Sequence, residues 1–173
     1  MNAHDYMARM TRDDLSVDTA SLVEAYARGP AELRGAIAGM TAEETVARPV
    51  EGRWSTIELV CHLVGCDLFL AERIERTLAF DRPLLQSIDE GPYPGRLGYQ
   101  GLDLGEQLDL FAALRAHEAR VLRSLPAEDW GRLAVHSHAG LMSLRQLVLQ
   151  PVRHLAHHLP FLAEKRAALA RRG

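Results

Sequence analysis

Sulfur chemistry has little place in this chain. Cys61 and Cys66 are the only cysteines, and in one helical stretch five residues put them about 140° apart around the axis, so they cannot bridge each other. Two unpaired thiols fit a reducing compartment. No run of about 18 apolar residues exists, which excludes a membrane-spanning helix. The N-terminal MNAHDYMARMTRDD lacks a basic region followed by an apolar one. It does not read as a secretory signal, and a cytoplasmic location is expected. A net charge of −3 leaves no positive footprint for nucleic acid. There is no Gly-rich phosphate loop, no Ser-His-Asp or Cys-His nucleophile pattern, and no convincing strand alternation. Lysine is nearly missing too: Lys165 is the only one, which reads as codon bias.

What is present is helical punctuation. Ser55 with Glu58, and Ser143 with Gln146, have the form of capping boxes, as do Thr41 with Glu44 and Asp103 with Glu106. Trp54 and Leu59 sit at hydrophobic-staple positions before a stripe running from Ile57 to Leu78. Gly29-Pro30 is expected to interrupt the first helical stretch, and Pro151 and Pro160 to kink the last. The expectation is one all-α domain over residues 17–173, behind a flexible tail at 1–16. Its four long helices should lie near 17–40, 55–80, 103–125 and 143–170, forming a four-helix bundle with one or two long crossovers. The connection at 81–102 is the expected surface crossover, and 127–142 a turn-rich link.

The most informative stretch is LVLQPVRHLAHHLPFL, residues 147–162. His154 and His158 are four apart, which on a helix leaves them about 40° apart and roughly 6 Å along the axis. Two imidazoles so placed can hold one divalent ion, but a zinc-like site needs at least three ligands. His62, set in the apolar stripe of the second long helix, is the candidate third. Three neutral imidazoles would leave an open position, the pattern of a catalytic site, where a divalent ion lowers the pKa of a bound water or thiol.

At these residues the chain resembles the DinB/YfiT-like superfamily of small helical metal-binding proteins. The resemblance lies in GPAELRGAIAGMTAEETVARPVEGRWSTIELVCHL, LFLAERI and HLAHHL, and covers roughly residues 17–168. Its most specific part is W-S-x-x-E-x-x-x-H-L from Trp54 to Leu63. It implies His62, His154 and His158 as ligands to one divalent metal ion, zinc or nickel first and manganese or iron as alternatives. It also implies an enzyme acting on a small-molecule substrate, transferring a low-mass thiol of the bacillithiol or mycothiol type. A metal-dependent hydrolase or a non-enzymatic metal-binding stress protein are the alternatives. A homodimer is expected from the apolar surface of short bundles together with this resemblance. The chain departs from the common pattern at Pro160 and at Asp67.

The remaining polar residues carry alternatives. Cys66 lies one turn beyond His62 and is either a core thiol or a fourth ligand. Glu58 either closes its capping box or accepts an imidazole N–H, and Asp67 forms either a salt bridge or part of the metal surroundings. His117 is expected partly buried, His157 solvated or next to the ligands, His136 and His138 in a surface loop or at the pocket mouth, and His4 in the tail.

Overall fold

The structure is a computed structural model whose described residues are 11–12 and 16–171. Most of the expected tail, His4 included, lies outside them. Thr11 and Arg12 lie against the last long helix, where their carbonyls accept hydrogen bonds from Gln146 and Arg153.

Among the described residues, six α-helices and three short strands run in the order α1 (Thr19–Ile37), α2 (Ala42–Val46), α3 (Thr56–Ala79), β1 (Leu84–Leu85), α4 (Tyr93–Arg96), α5 (Leu104–Arg123), β2 (Leu133–His136), β3 (Gly140–Ser143) and α6 (Leu144–Ala170). The starts follow the side chains. Thr41, Ser55 and Ser143 each accept the backbone N–H three residues on, and Glu44, Glu58 and Gln146 return the bond to the cap. Asp18 and Asp103 cap α1 and α5 with one such bond.

The four long helices form the bundle. α1 and α3 each pack on both α5 and α6, so α1 and α3 share one diagonal and α5 and α6 the other. The connection over 81–102 therefore joins two neighbours, α3 and α5. The diagonals are crossed by the links after α1 and after α5. Among the described residues no helix is long and apolar enough to cross a membrane.

The connection at 81–102 is thus not the expected crossover, and two further features depart from the sequence reading. α1 runs unbroken through Gly29-Pro30. Pro30 has no N–H for the carbonyl of Tyr26, and Arg115 of α5 donates to that carbonyl at 3.2 Å instead. The link at 127–142 also contains a sheet. β2 pairs antiparallel with β3 and parallel with β1, with Gly140 in the left-handed region at φ 75°. Strands of two to four residues are too short to show alternation.

Candidate metal centre

α3 and α6 pack side by side, and this contact brings His62 to a pair 92 residues away. His62 Nε2 is 3.1 Å from His154 Nε2, and His154 Nε2 is 3.0 Å from His158 Nε2. The three rings meet edge to face, with centroids 4.6–5.0 Å apart. Together they form a group whose ligand atoms all lie within 4.8 Å of one another. Burial lowers the pKa of all three: His62 to about 4 and His158 to about 3, with the neighbouring rings adding to the shift at His158. His154 also lies well below its ordinary value, mainly through burial and then His158. All three are thus neutral at pH 7.

The surroundings bear on the alternatives around the triad. Both Glu58 oxygens are engaged, by Arg48 and by the Ser55 N–H. Burial raises the Glu58 pKa, but the Arg48 pair and the Ser55 bond outweigh it and hold the carboxyl below its ordinary value. Glu58 therefore closes its capping box rather than orienting an imidazole. The neighbour of His62 Nδ1 is Cys66 Sγ at 3.7 Å. Cys66 groups with His62 and Glu90 rather than with the other two histidines, and burial pushes its thiol pKa far up. The Nδ1 atoms of His154 and His158 have no hydrogen-bond partner among the described residues. His157 stacks edge-on against His158 and Phe161.

Asp67 sits five residues past His62 with its carboxylate against Arg115, both side chains 1% exposed. Arg115 also donates to the carbonyls of Tyr26 in α1 and Pro151 in α6. One guanidinium thus ties all four helices beside the three rings. His117 is exposed, not buried as expected, and faces Glu75 at 3.4 Å.

Two cavities reach the triad, one at His154 and one at His158. A small one of about 60 Å³ has His154, Cys66, Arg73, Glu90, His136 and Gln150 among its walls. His136 is buried here. Its Nδ1 accepts the N–H groups of His138 and Ala139, so Nε2 carries the ring proton. His138 itself is exposed. The larger cleft, about 310 Å³, has Arg53, Trp54, His158, Phe161 and Lys165 on its walls. The sequence reading missed Lys165. Its only signal was its rarity.

The chain and its fold are similar to known proteins. A family model described as the DinB superfamily matches residues 25–162. A protein of Geobacillus thermodenitrificans (strain NG80-2), whose name proposes a metal-dependent hydrolase, is 25% identical over 142 residues, 82% of this chain and 80% of that one. YfiT from Bacillus subtilis, described as a probable metal-dependent hydrolase with an unusual four-helix bundle topology, superposes with a TM-score of 0.83 at 20% identity. That match covers 92% of this chain and 93% of YfiT. A mycothiol-dependent maleylpyruvate isomerase superposes with a TM-score of 0.67 at 11% identity, over 84% of this chain and 60% of the isomerase.

Proposed function

The chain belongs to the DinB superfamily, and from that premise we propose that it is a divalent-metal-dependent enzyme whose ion is held by Nε2 of His62, His154 and His158. The observation that carries this reading is the convergence of three neutral imidazoles, two buried and one half-buried. Two nitrogens each about 2.0–2.1 Å from a tetrahedral ion stand roughly 3.3 Å apart, close to the 3.0 and 3.1 Å found. Protons alone do not satisfy the cluster. His154 Nε2 offers either one N–H or one lone pair, so it serves one neighbour and leaves the other in an unrelieved contact. A cation between the rings removes that conflict. Imidazole donors suit zinc, nickel and iron.

Bound there, such an ion supplies a Lewis acid that lowers the pKa of a coordinated water or thiol. The chain contributes the rest. Trp54, 4.9 Å from the His62 ring, and Phe161, 5.7 Å from His158, flank the rings with aromatic surface. Glu90, within 4.8 Å of both Cys66 Sγ and His62, stands where it can accept a proton released at the site. The His136 N–H and the unpartnered Gln150 Oε1 can orient a small polar group beside His154.

The leading reaction is transfer of a low-mass thiol to a small electrophile. Hydrolysis is the second reading, favoured by the names that the Geobacillus relative and YfiT carry. Elemental analysis of the purified protein, followed by thiol-transfer and ester-hydrolysis assays before and after chelation, tests both. The expected result is one equivalent of metal per chain and an activity lost on chelation and regained with zinc or nickel. Full activity in chelated, metal-free protein overturns the proposal.

A further inference from the structure

Lys165 is the only lysine in the chain, and it is 2% exposed. Lysines ordinarily bury their stems and keep the ammonium in water. This one lies on the wall of the 310 Å³ cleft, two helical turns beyond His158, which shares that cleft. Among the described residues no carboxylate pairs with its ammonium and no acceptor takes a hydrogen bond from it. The acidic groups whose charge reaches it are Glu164 and Glu58. Glu164 is its exposed chain neighbour, and Glu58 is engaged by Arg48 and Ser55. A second cation, Arg53, enters the same cleft, its guanidinium 5.5 Å from the Phe161 ring centre. Among the described residues no acidic side chain lines this cleft. Two cations are therefore gathered, without an anion, in a space sized for a small molecule. A cation largely withdrawn from bulk water and facing a cleft without a partner is costly, and a ligand anion is the partner this arrangement lacks.

We infer that the substrate carries an anionic group, a carboxylate or a phosphoryl group, bound by Lys165 and Arg53 while its reacting end faces His158. This rests on the metal-centre reading for the reacting end alone. The ammonium is a compact donor that takes either anion without demanding a planar partner. Trp54 and Phe161 would cover the apolar body of the molecule, and the distance along α6 from Lys165 to His158, roughly 10 Å at seven residues, sets a length of a few bonds between anion and reacting atom. Lys165 and Arg53 are binding residues here, with no part in the chemistry.

The test uses three thiols of similar length: 3-mercaptopropionate, 2-mercaptoethylphosphonate and the uncharged 3-mercaptopropanamide. Each is titrated into the full chain, zinc-loaded and chelator-stripped, and read by the emission of Trp54 in the cleft wall. Charge-assisted hydrogen bonds make the expected preference for an anion over the amide about tenfold or more, in both metal states. The preferred anion identifies the headgroup. Lys165→Met should abolish the preference and Lys165→Arg should keep most of it. Arg53→Gln, at an exposed position, should weaken it without risk to the core. Equal binding of both anions and the amide, or an undiminished preference in Lys165→Met and Arg53→Gln alike, overturns the inference. Failure of the metal reading looks different: each thiol then has the same affinity for loaded as for stripped protein, while the preference for the anions over the amide persists.

Discussion

His154 is the residue on which the cluster turns, since its Nε2 contacts both other rings. His158, its partner on the same helix, is the cleaner probe because it is less enclosed. His158→Ala should lower zinc affinity about tenfold or more with the helical content unchanged, read by competition against a chromogenic chelator and by circular dichroism. Unchanged affinity would remove His158 from the ligand set. Arg115 poses a different question at the same scale. Its guanidinium is fully enclosed, pairs with Asp67, and lies 4.1 Å from the Tyr26 ring centre. Arg115→Leu strands the Asp67 charge and should cost about 3–5 kcal/mol in urea unfolding. The double change Asp67→Leu, Arg115→Leu should recover much of that loss, because the larger share of the penalty is the uncompensated charge.

At the scale of elements, α1 shows why a Gly-Pro pair can sit inside a helix. A Cβ built on Gly29 would meet Leu155 Cδ2 at 3.0 Å and Arg115 Nη1 at 3.2 Å, so the glycine lets α6 and the guanidinium close on α1. Pro30 leaves a carbonyl that the same guanidinium takes. The two residues are a docking surface for Arg115. Gly29→Val should destabilise by about 1–3 kcal/mol through overpacking, seen as a lower midpoint in thermal unfolding, and an unchanged midpoint would show the contact to be slack. α6 likewise continues through Pro151 and Pro160, carrying His154 and His158 between them.

Across the whole molecule, two sets of buried groups set opposite limits on pH stability. The histidines of the triad have folded pKa values near 3–4 against about 6.5 unfolded. Below about 6.5 the unfolded chain binds more protons, so metal-free protein loses stability as pH falls from there towards 3–4. Glu118 works the other way. It is buried, with neither oxygen hydrogen-bonded among the described residues, and burial followed by Glu75 raises its pKa to about 8, against about 4.3 unfolded. The folded chain holds that proton more tightly, so its contribution is full below about 4.3 and is lost as pH rises towards 8. Unfolding free energy of chelator-stripped protein should therefore peak between these arms, and Glu118→Gln should flatten the alkaline one. An alkaline arm unchanged by Glu118→Gln would show that Glu118 titrates normally. Metal occupancy should decline on the acid side, because protons compete for the same nitrogens.

Much was legible in local sequence because its causes are local. Capping boxes act over three residues, and the four-residue spacing of His154 and His158 sets their common face within one helical turn. The four long helices and their starts followed from these, and the W-S-x-x-E-x-x-x-H-L run pointed to His62. Long-range packing decided the rest. Whether His62 meets the pair depends on α3 lying beside α6. Whether Glu58 turns to the imidazole or away depends on Arg48, ten residues back in another loop. His136 became a pocket wall only because two short strands pair, and Asp67 an interior ion pair only because Arg115 arrives from α5. Lys165, which reads in the sequence as codon bias alone, acquired meaning from the cleft around it. Burial and the identity of a partner far along the chain are properties of the packed bundle, and no local period encodes them.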